Sequence, residues 1–131
     1  MKGIAIGFSD TSKEILKRLK KTEFINEIFI GSSSPKDQKI KDSVKFVKPS
    51  QILREKWGKL ELIIFVGSVG ASIRLINSLL SSKDKDPGVI VIDKKGSKII
   101  PIIGAHQSNI QNIAFQTVSY THLTLPTILR V

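Results

Sequence analysis

The sequence contains no cysteine, and it has one tryptophan, one tyrosine and one methionine among its 131 residues. The lack of cysteine excludes a disulfide scaffold and cysteine-ligated zinc sites. Long hydrophobic runs are also missing. No run approaches the roughly 18 apolar residues that span a bilayer, and the first residues lack the architecture of a signal peptide. We therefore expect a small soluble domain in the cytoplasm, with no membrane partner.

Acidic residues are few, at 11 against 21 basic ones, which gives a formal net charge of +10. Seventeen of the basic residues are lysine, and isoleucine occupies 21 positions, a composition typical of AT-rich coding DNA. Nucleic-acid-binding surfaces usually combine arginine with exposed aromatic residues, and both are scarce here. The charge therefore fits either a solvated lysine-rich surface or an anionic small-molecule substrate. We predict no nucleic-acid partner.

The last 14 residues differ in character from the rest of the chain. Residues 118–127 match one reading frame of a transposase-type sequencing-library adapter, and the final four fit its variable index and stop. We predict that residues 118–131 derive from this adapter, and that residues 1–117 are an α/β domain truncated at its C-terminal end. The alternative is a natural C-terminal strand with a Thr-Leu-Pro-Thr turn. Under the adapter interpretation, Tyr120 and His122 carry no function.

Apolar runs that alternate with amphipathic segments predict an α/β fold. The strongest predicted strand is residues 60–66, whose nearly unbroken apolar run is typical of a parallel strand covered on both faces. Residues 89–92 and 98–103, joined by the turn at 93–96, predict a hairpin. This order predicts a mainly parallel sheet with an antiparallel edge hairpin and helices on both faces. The other predicted strands are 2–8, 27–30 and 44–47, and predicted helices begin near residues 11, 49, 71 and 109.

Three loops are candidates for a binding site, and the first is residues 67–70. In an open α/β sheet, loops at the carboxyl ends of strands line the ligand crevice, where helix N-termini present N–H groups to anions. Gly67, Ser68 and Gly70 would let a carboxylate approach the backbone, and Arg74 on the next helix would add a bidentate contact. A Gly-x-x-Gly segment after a strand is also often a plain tight turn. This one is neither a Walker A loop nor a dinucleotide-binding fingerprint.

The other two loops, residues 83–87 and 104–107, contribute Asp86, Gly104 and His106. Asp86 precedes a proline and is held extended, which fits either a turn or a positioned carboxylate. His106 fits a general base or a hydrogen-bond donor to substrate, or it satisfies a neighbouring backbone group. No cluster of histidine and carboxylate residues has metal-ligand spacing, and no serine is paired with a base in a nucleophile elbow. We therefore predict no metal site and no catalytic triad.

A recognisable pattern extends over three segments of the chain. Residues 64–80 form a strand, a glycine loop and a helix that carries Arg74. Residues 83–96 contain a Lys-x-x-Asp-Pro-x-Val turn and a strand that ends in Asp-x-x-Gly, and residues 100–106 end in Gly-Ala-His. Together they resemble the N-terminal domain of the CbiG family, the cobalt-precorrin-5A hydrolases of cobalamin biosynthesis. The resemblance covers about residues 50–115.

The resemblance implies a hydrolase that opens the ring A lactone of a cobalt-containing corrin precursor and releases acetaldehyde. The partner would be an anionic cobalt corrinoid that brings its own cobalt, so no cofactor is expected. In this chemistry His106 would activate water and the backbone amides of residues 67–70 would stabilise the oxyanion. The substrate would also contact the side chains or backbone of Gly67, Ser68, Gly70, Arg74, Asp86 and Gly104.

Two departures from the family pattern limit this expectation. The family's third loop continues from Gly-His into a Gly-Gly-Ala-Asn-like stretch, whereas residues 107–112 are Gln-Ser-Asn-Ile-Gln-Asn. The family's central and C-terminal domains are also missing, so we expect the fragment alone to be inactive and to need those domains as partners. Two alternatives stay open: a fusion with a precorrin-3B C17-methyltransferase, which would use S-adenosylmethionine, and a non-catalytic tetrapyrrole-binding module.

Overall fold

A computed structural model of the chain describes residues 2–31, 44–81, 86–104 and 127–128. Within these residues, seven strands form one sheet in the order β3-β2-β1-β4-β5-β6-β7. The strands are β1 (Gly3–Gly7), β2 (Glu27–Gly31), β3 (Lys45–Val47), β4 (Leu62–Val66), β5 (Gly88–Ile92), β6 (Lys98–Ile103) and β7 (Thr127–Ile128). The helices are α1 (Lys13–Lys20), α2 (Pro49–Lys56) and α3 (Val69–Ile76), and short 3-10 segments occupy Asp10–Ser12 and Trp57–Lys59.

The order of the strands reverses at β1. This strand pairs in parallel with β2 on one side and with β4 on the other, and β4 pairs in parallel with β5. The chain is built outward from β1 to β3, then returns through α2 to β4. β6 is antiparallel to β5, and β7 is parallel to β6. The predicted mainly parallel sheet with its antiparallel hairpin is confirmed.

Helices cover both faces of the sheet, as predicted. One face packs against α1 through Leu16 and Leu19, and the other packs against α2 and α3 through Leu53 and Ile76. Every residue of β1, β4 and β5 is buried, which explains their continuous apolar runs. Each fully buried isoleucine or leucine contributes about 1.5–3 kcal/mol of hydrophobic stabilisation. Within the described parts of the chain, no helix is long and apolar enough to cross a membrane.

The helix boundaries differ from those that the periodicity predicts. α3 ends at Ile76 rather than near Leu80, and the chain continues as a turn in which Leu79 N–H donates to the carbonyl of Ile76 at 2.9 Å. Asn77 and Ser78 favour turns because their side chains compete for backbone hydrogen bonds. The helix predicted near residue 109 lies outside the described residues.

The strand β7 lies inside the segment 118–131 that the sequence assigns to an adapter. Its two residues pair with Lys98 and Ile99 of β6. The origin of this segment stays a prediction.

Candidate functional site

The reversal of strand order places the carboxyl ends of β1 and β4 side by side. Open α/β sheets bind ligands at such a point, because the connections there leave in opposite directions and open a crevice. The two loops involved, residues 8–12 and 67–70, are called here the switch edge. A backbone hydrogen bond ties each loop to the end of a neighbouring strand: Phe8 N–H donates to the carbonyl of Val66 at 3.2 Å, and Gly67 N–H donates to the carbonyl of Ile92 at 2.8 Å.

Gly67 is required by packing at the switch edge. Its φ is +152°, a backbone region that favours glycine, and a Cβ at this position would collide with the ring of Phe8. That ring also stacks on Phe65, with ring centroids 5.7 Å apart and an interplanar angle of 10°. The glycine that the sequence analysis assigned to ligand approach therefore has a structural reason of its own.

Ser68 and Gly70 form the start of α3 at the switch edge. Ser68 is the N-cap: its Oγ accepts a hydrogen bond from Ala71 N–H at 3.0 Å. Gly70 lies in the first turn, is exposed, and has open space where a Cβ would lie. No packing contact explains a glycine at this helical position, so its backbone is accessible to a ligand.

The loop after β1 brings hydroxyl groups to the same edge. Ser12 is fully buried, and its Oγ donates to the carbonyl of Ser9 at 2.6 Å. Gly7 permits this turn, because a Cβ there would collide with the Ser12 hydroxyl. The exposed hydroxyls of Ser9 and Thr11 are hydrogen-bonded to each other at 2.6 Å. These residues are not among the predicted site residues, and the glycine before a Ser-rich turn was the available signal.

A cavity of about 440 Å³ adjoins the switch edge between α2 and α3. It is called here the α2–α3 cavity. The exposed side chains of Lys48 and Arg74 bring two positive charges to its lining, and the described lining residues include no acid. Its lining consists of Phe8, Gly31, Lys48, Pro49, Ser50, Ala71, Arg74 and Leu75.

The structure places Arg74 in this cavity and adds two residues that the sequence analysis missed. Lys48 is the N-cap residue of α2, and Phe8 follows β1. No local motif marks either of them as a ligand contact. Lys48 meets Arg74 because α2 and α3 pack against each other, and Phe8 meets it because β1 ends beside β4.

Asp86 lies at the opposite edge of the sheet, at the amino end of β5. Its carboxylate accepts hydrogen bonds from Trp57 Nε1 at 3.2 Å, and from the backbone N–H and the hydroxyl of Ser81 at 3.0 Å each. Trp57 is itself buried in the core beside α2. The structure therefore does not bring Asp86 together with Arg74. The hydrogen bonds of the Asp86 carboxylate instead link the end of α2 to the chain after α3.

Gly104 also lies away from the switch edge. It follows β6, and because β6 is antiparallel to β5, the end of β6 at Ile103 pairs with Val89 at the start of β5. The φ of Gly104 is +74°, a backbone region that favours glycine. The structure therefore places Asp86 and Gly104 at the end of the sheet away from residues 67–70. His106 lies outside the described residues, and the roles predicted for His106, Asp86 and Gly104 stay predictions.

Asp93 organises a turn at the carboxyl end of β5, beside Gly67. It accepts hydrogen bonds from Ser97 N–H at 2.6 Å, from the Ser97 hydroxyl at 2.7 Å and from Lys98 N–H at 3.0 Å. Burial alone would raise the pKa of Asp93, but these hydrogen bonds and the charge of Lys98 outweigh it and lower the pKa below its usual 3.8. The turn exposes Lys94 and Lys95 to solvent.

The chemistry of this region suits an anion. The described residues contain no group of three or more metal-ligating side chains. The switch edge and the α2–α3 cavity supply hydroxyls, the N-terminus of α3 and two cationic side chains. Apolar side chains also line the cavity. Helix N-termini and cationic side chains both stabilise negative charge. A ligand with carboxylates on an apolar framework matches this combination.

Comparison with known proteins identifies a matching family and several relatives. A family model described as "Cobalamin synthesis G N-terminal" matches residues 51–124. A cobalt-precorrin-5A hydrolase from Priestia megaterium is 39% identical over 69 residues, which are 53% of this chain and 17% of that protein. A protein of the same name from Salmonella typhimurium is 32% identical over 53 residues, which are 40% of this chain and 15% of that protein.

A solved structure has the same fold. The crystal structure of a cobalamin biosynthesis protein G homologue from Sulfolobus solfataricus aligns with 97% of this chain at a TM-score of 0.63 and 22% identity. The aligned part is 36% of that chain. The matched residues thus make up less than a fifth of the length of the two hydrolases, and the aligned residues about a third of the solved homologue.

Proposed function

The chain belongs to the cobalamin synthesis G N-terminal family, and on that premise we propose that it is the N-terminal part of a cobalt-precorrin-5A hydrolase. The α2–α3 cavity at the switch edge is the observation that carries this proposal. It places Lys48 and Arg74 beside apolar surface, and a corrin precursor combines carboxylate side chains with an apolar ring. The two relatives of that name extend far beyond the matched residues, so the remainder of the enzyme would lie outside this chain.

The proposed reaction opens the ring A lactone of the substrate and releases a two-carbon fragment as acetaldehyde. Water adds to the lactone carbonyl carbon, the carbonyl oxygen takes up negative charge, and collapse of this adduct breaks the ring carbon–oxygen bond, which leaves a carboxylate and an alkoxide on the two-carbon fragment. Conversion of the alkoxide into an aldehyde carbonyl then breaks the carbon–carbon bond to the macrocycle, whose carbon keeps the electron pair and takes up a proton. The part of this chain would be to bind and orient the substrate: Arg74 and Lys48 hold carboxylates, and the N-terminus of α3 at Ser68 and Gly70 faces developing negative charge. His106 is proposed as the general base.

Turnover by the longer protein tests this proposal. The native continuation of the gene would be recovered, the whole protein purified and incubated with cobalt-precorrin-5A, and acetaldehyde measured. Release of acetaldehyde is expected, and intact substrate without any release would overturn the proposal. The continuation would also reveal whether the gene continues into a precorrin-3B C17-methyltransferase, which would add an S-adenosylmethionine site.

A second candidate is a non-catalytic module that holds an anionic tetrapyrrole for another domain. The composition of the switch edge favours this candidate, because residues 8–12 and 67–70 supply binding groups and include no histidine. The His106→Ala and Arg74→Gln variants of the whole protein separate the two functions. Loss of turnover with unchanged substrate binding in His106→Ala supports catalysis by this domain. Unchanged turnover in His106→Ala, with weaker binding in Arg74→Gln, supports the binding module.

A further inference from the structure

The α2–α3 cavity is a depression open to solvent, and it is small beside a whole tetrapyrrole. Its volume of about 440 Å³ corresponds to about 15 water molecules at roughly 30 Å³ each. This is the scale of a side-chain arm with the adjoining edge of a ring, and it is far smaller than a whole tetrapyrrole with all its substituents. A large ligand would therefore enter the cavity with one part only.

The lining selects the chemistry of that part. Lys48 at the start of α2 and Arg74 in the second turn of α3 approach the cavity from two different helices. Two cations without an acid among the described lining residues favour a single anionic group between them. The remaining surface is apolar, from Phe8, Pro49 and Leu75, and it suits the methylene groups of an arm. Phe8 is held in place by its stacking on Phe65.

We infer that the α2–α3 cavity binds one carboxylate-bearing arm of the corrinoid, with Lys48 and Arg74 on the carboxylate and Phe8 and Leu75 on its methylenes. This inference rests on the proposed function and identifies the group by which the domain recognises its substrate. A guanidinium offers a planar fork to the carboxylate, whereas an ammonium contributes a point charge, so Arg74 makes the larger contribution.

Calorimetric titration of the full 131-residue chain with two probes tests the inference. One probe is a cobalt corrinoid with all side-chain carboxylic acids free, and the other is the same corrinoid with every acid converted to a primary amide. The acid form is expected to bind more tightly, and Arg74→Gln is expected to weaken its binding about tenfold. Lys48→Gln weakens it less, and neither variant changes binding of the amide form.

Matched controls separate a specific contact from general attraction to a positively charged protein. Arg54→Gln and Lys20→Gln each remove one exposed positive charge from residues that do not line the cavity. Both are expected to bind the acid form as the unmodified protein does. Equal weakening by Arg54→Gln and Arg74→Gln would overturn the inference, as would equal affinity of the unmodified protein for the acid and amide forms.

The same titration distinguishes failure of this inference from failure of the proposed function. If the unmodified chain binds the acid form but Arg74→Gln and Lys48→Gln bind it unchanged, the corrinoid contacts another surface and only the arm assignment is overturned. If the unmodified chain binds neither form, the substrate-binding role proposed for this domain is overturned as well.

Discussion

The ring of Phe8 lies against the α-carbon of Gly67, where β1 and β4 end beside each other. The ring stacks on Phe65 and forms part of the wall of the α2–α3 cavity, and Gly67 adopts a φ of +152°. The close approach is possible only because Gly67 has no side chain. A glycine in a loop after a strand therefore shapes the cavity by positioning an aromatic ring.

Replacement of Gly67 by alanine is expected to destabilise the fold. The new Cβ meets the Phe8 ring, and the backbone conformation is strained for any other residue, so the free energy of unfolding should fall by about 2–3 kcal/mol. Urea denaturation measures the change. In a Phe8→Ala background only the backbone strain remains, so the same substitution should cost less. An unchanged unfolding midpoint in Gly67→Ala would contradict this packing account.

Gly70→Ala is expected to act in the opposite direction on stability. Its Cβ would enter open space within a helix, so the free energy of unfolding should rise by about 0.5 kcal/mol. If the backbone at Gly70 contacts the ligand, the same variant weakens binding of the carboxylate corrinoid. Gly58→Ala is the control, because Gly58 also has open space around it but does not line the switch edge. Unchanged binding in Gly70→Ala would remove this residue from the site.

Asp86→Ala is expected to cost stability and leave ligand binding intact. The variant loses the hydrogen bonds from Trp57 Nε1 and Ser81 at the amino end of β5, at a cost of about 2 kcal/mol. Trp57→Phe removes only one of these bonds and should cost less. Urea denaturation and corrinoid titration measure the two effects. Weaker binding at unchanged stability would instead support the substrate contact that the sequence predicted for Asp86.

Asp93 is expected to make stability depend on pH in the acid range. Its pKa is lowered in the folded protein, so its contribution to stability is present above the usual carboxyl pKa of 3.8 and is lost as the pH falls through the folded-state value. Asp93→Asn should therefore be less stable than the unmodified protein by about 1 kcal/mol near neutral pH. The gap should narrow below pH 3.8.

Urea denaturation near neutral pH and below pH 3.8 measures the difference in stability between Asp93→Asn and the unmodified protein. Asp10→Asn removes an exposed carboxylate 3.9 Å from Lys13 and controls for the loss of one negative charge. A gap between Asp93→Asn and the unmodified protein that is constant over the acid range would contradict the assignment.

Local patterns in the sequence were sufficient to identify six of the seven strands in the described residues, all but β7. The run at residues 60–66 predicted a doubly covered parallel strand, and β4 is buried along its whole length. Burial on both faces requires a continuous apolar run, so the signal lies within the strand itself. The end of α3 was less predictable. Apolar spacing continues to Leu80, but the helix stops at Ile76, and Ser81 N–H donates a hydrogen bond to Asp86.

Part of the candidate site could likewise be predicted from local sequence patterns, and part could not. Ser68, the N-cap of α3, and Arg74 follow a strand directly in the sequence, so their neighbourhood was predictable from local spacing. The position of Gly104 was also implied, because a hairpin returns its second strand to the amino end of the first. The predicted hairpin therefore already placed Gly104 at the amino end of β5, away from residues 67–70.

The sequence by itself determined the α/β class, the family resemblance and the glycine loop before α3, because each depends on residues close together in the chain. Only the tertiary structure decided which loops share an edge and which cations face one cavity. Lys48 and Arg74 are 26 positions apart, and Phe8 is 40 positions before Lys48. Strand order and helix packing bring these three residues to one cavity, and both depend on pairings between distant segments that no local pattern encodes.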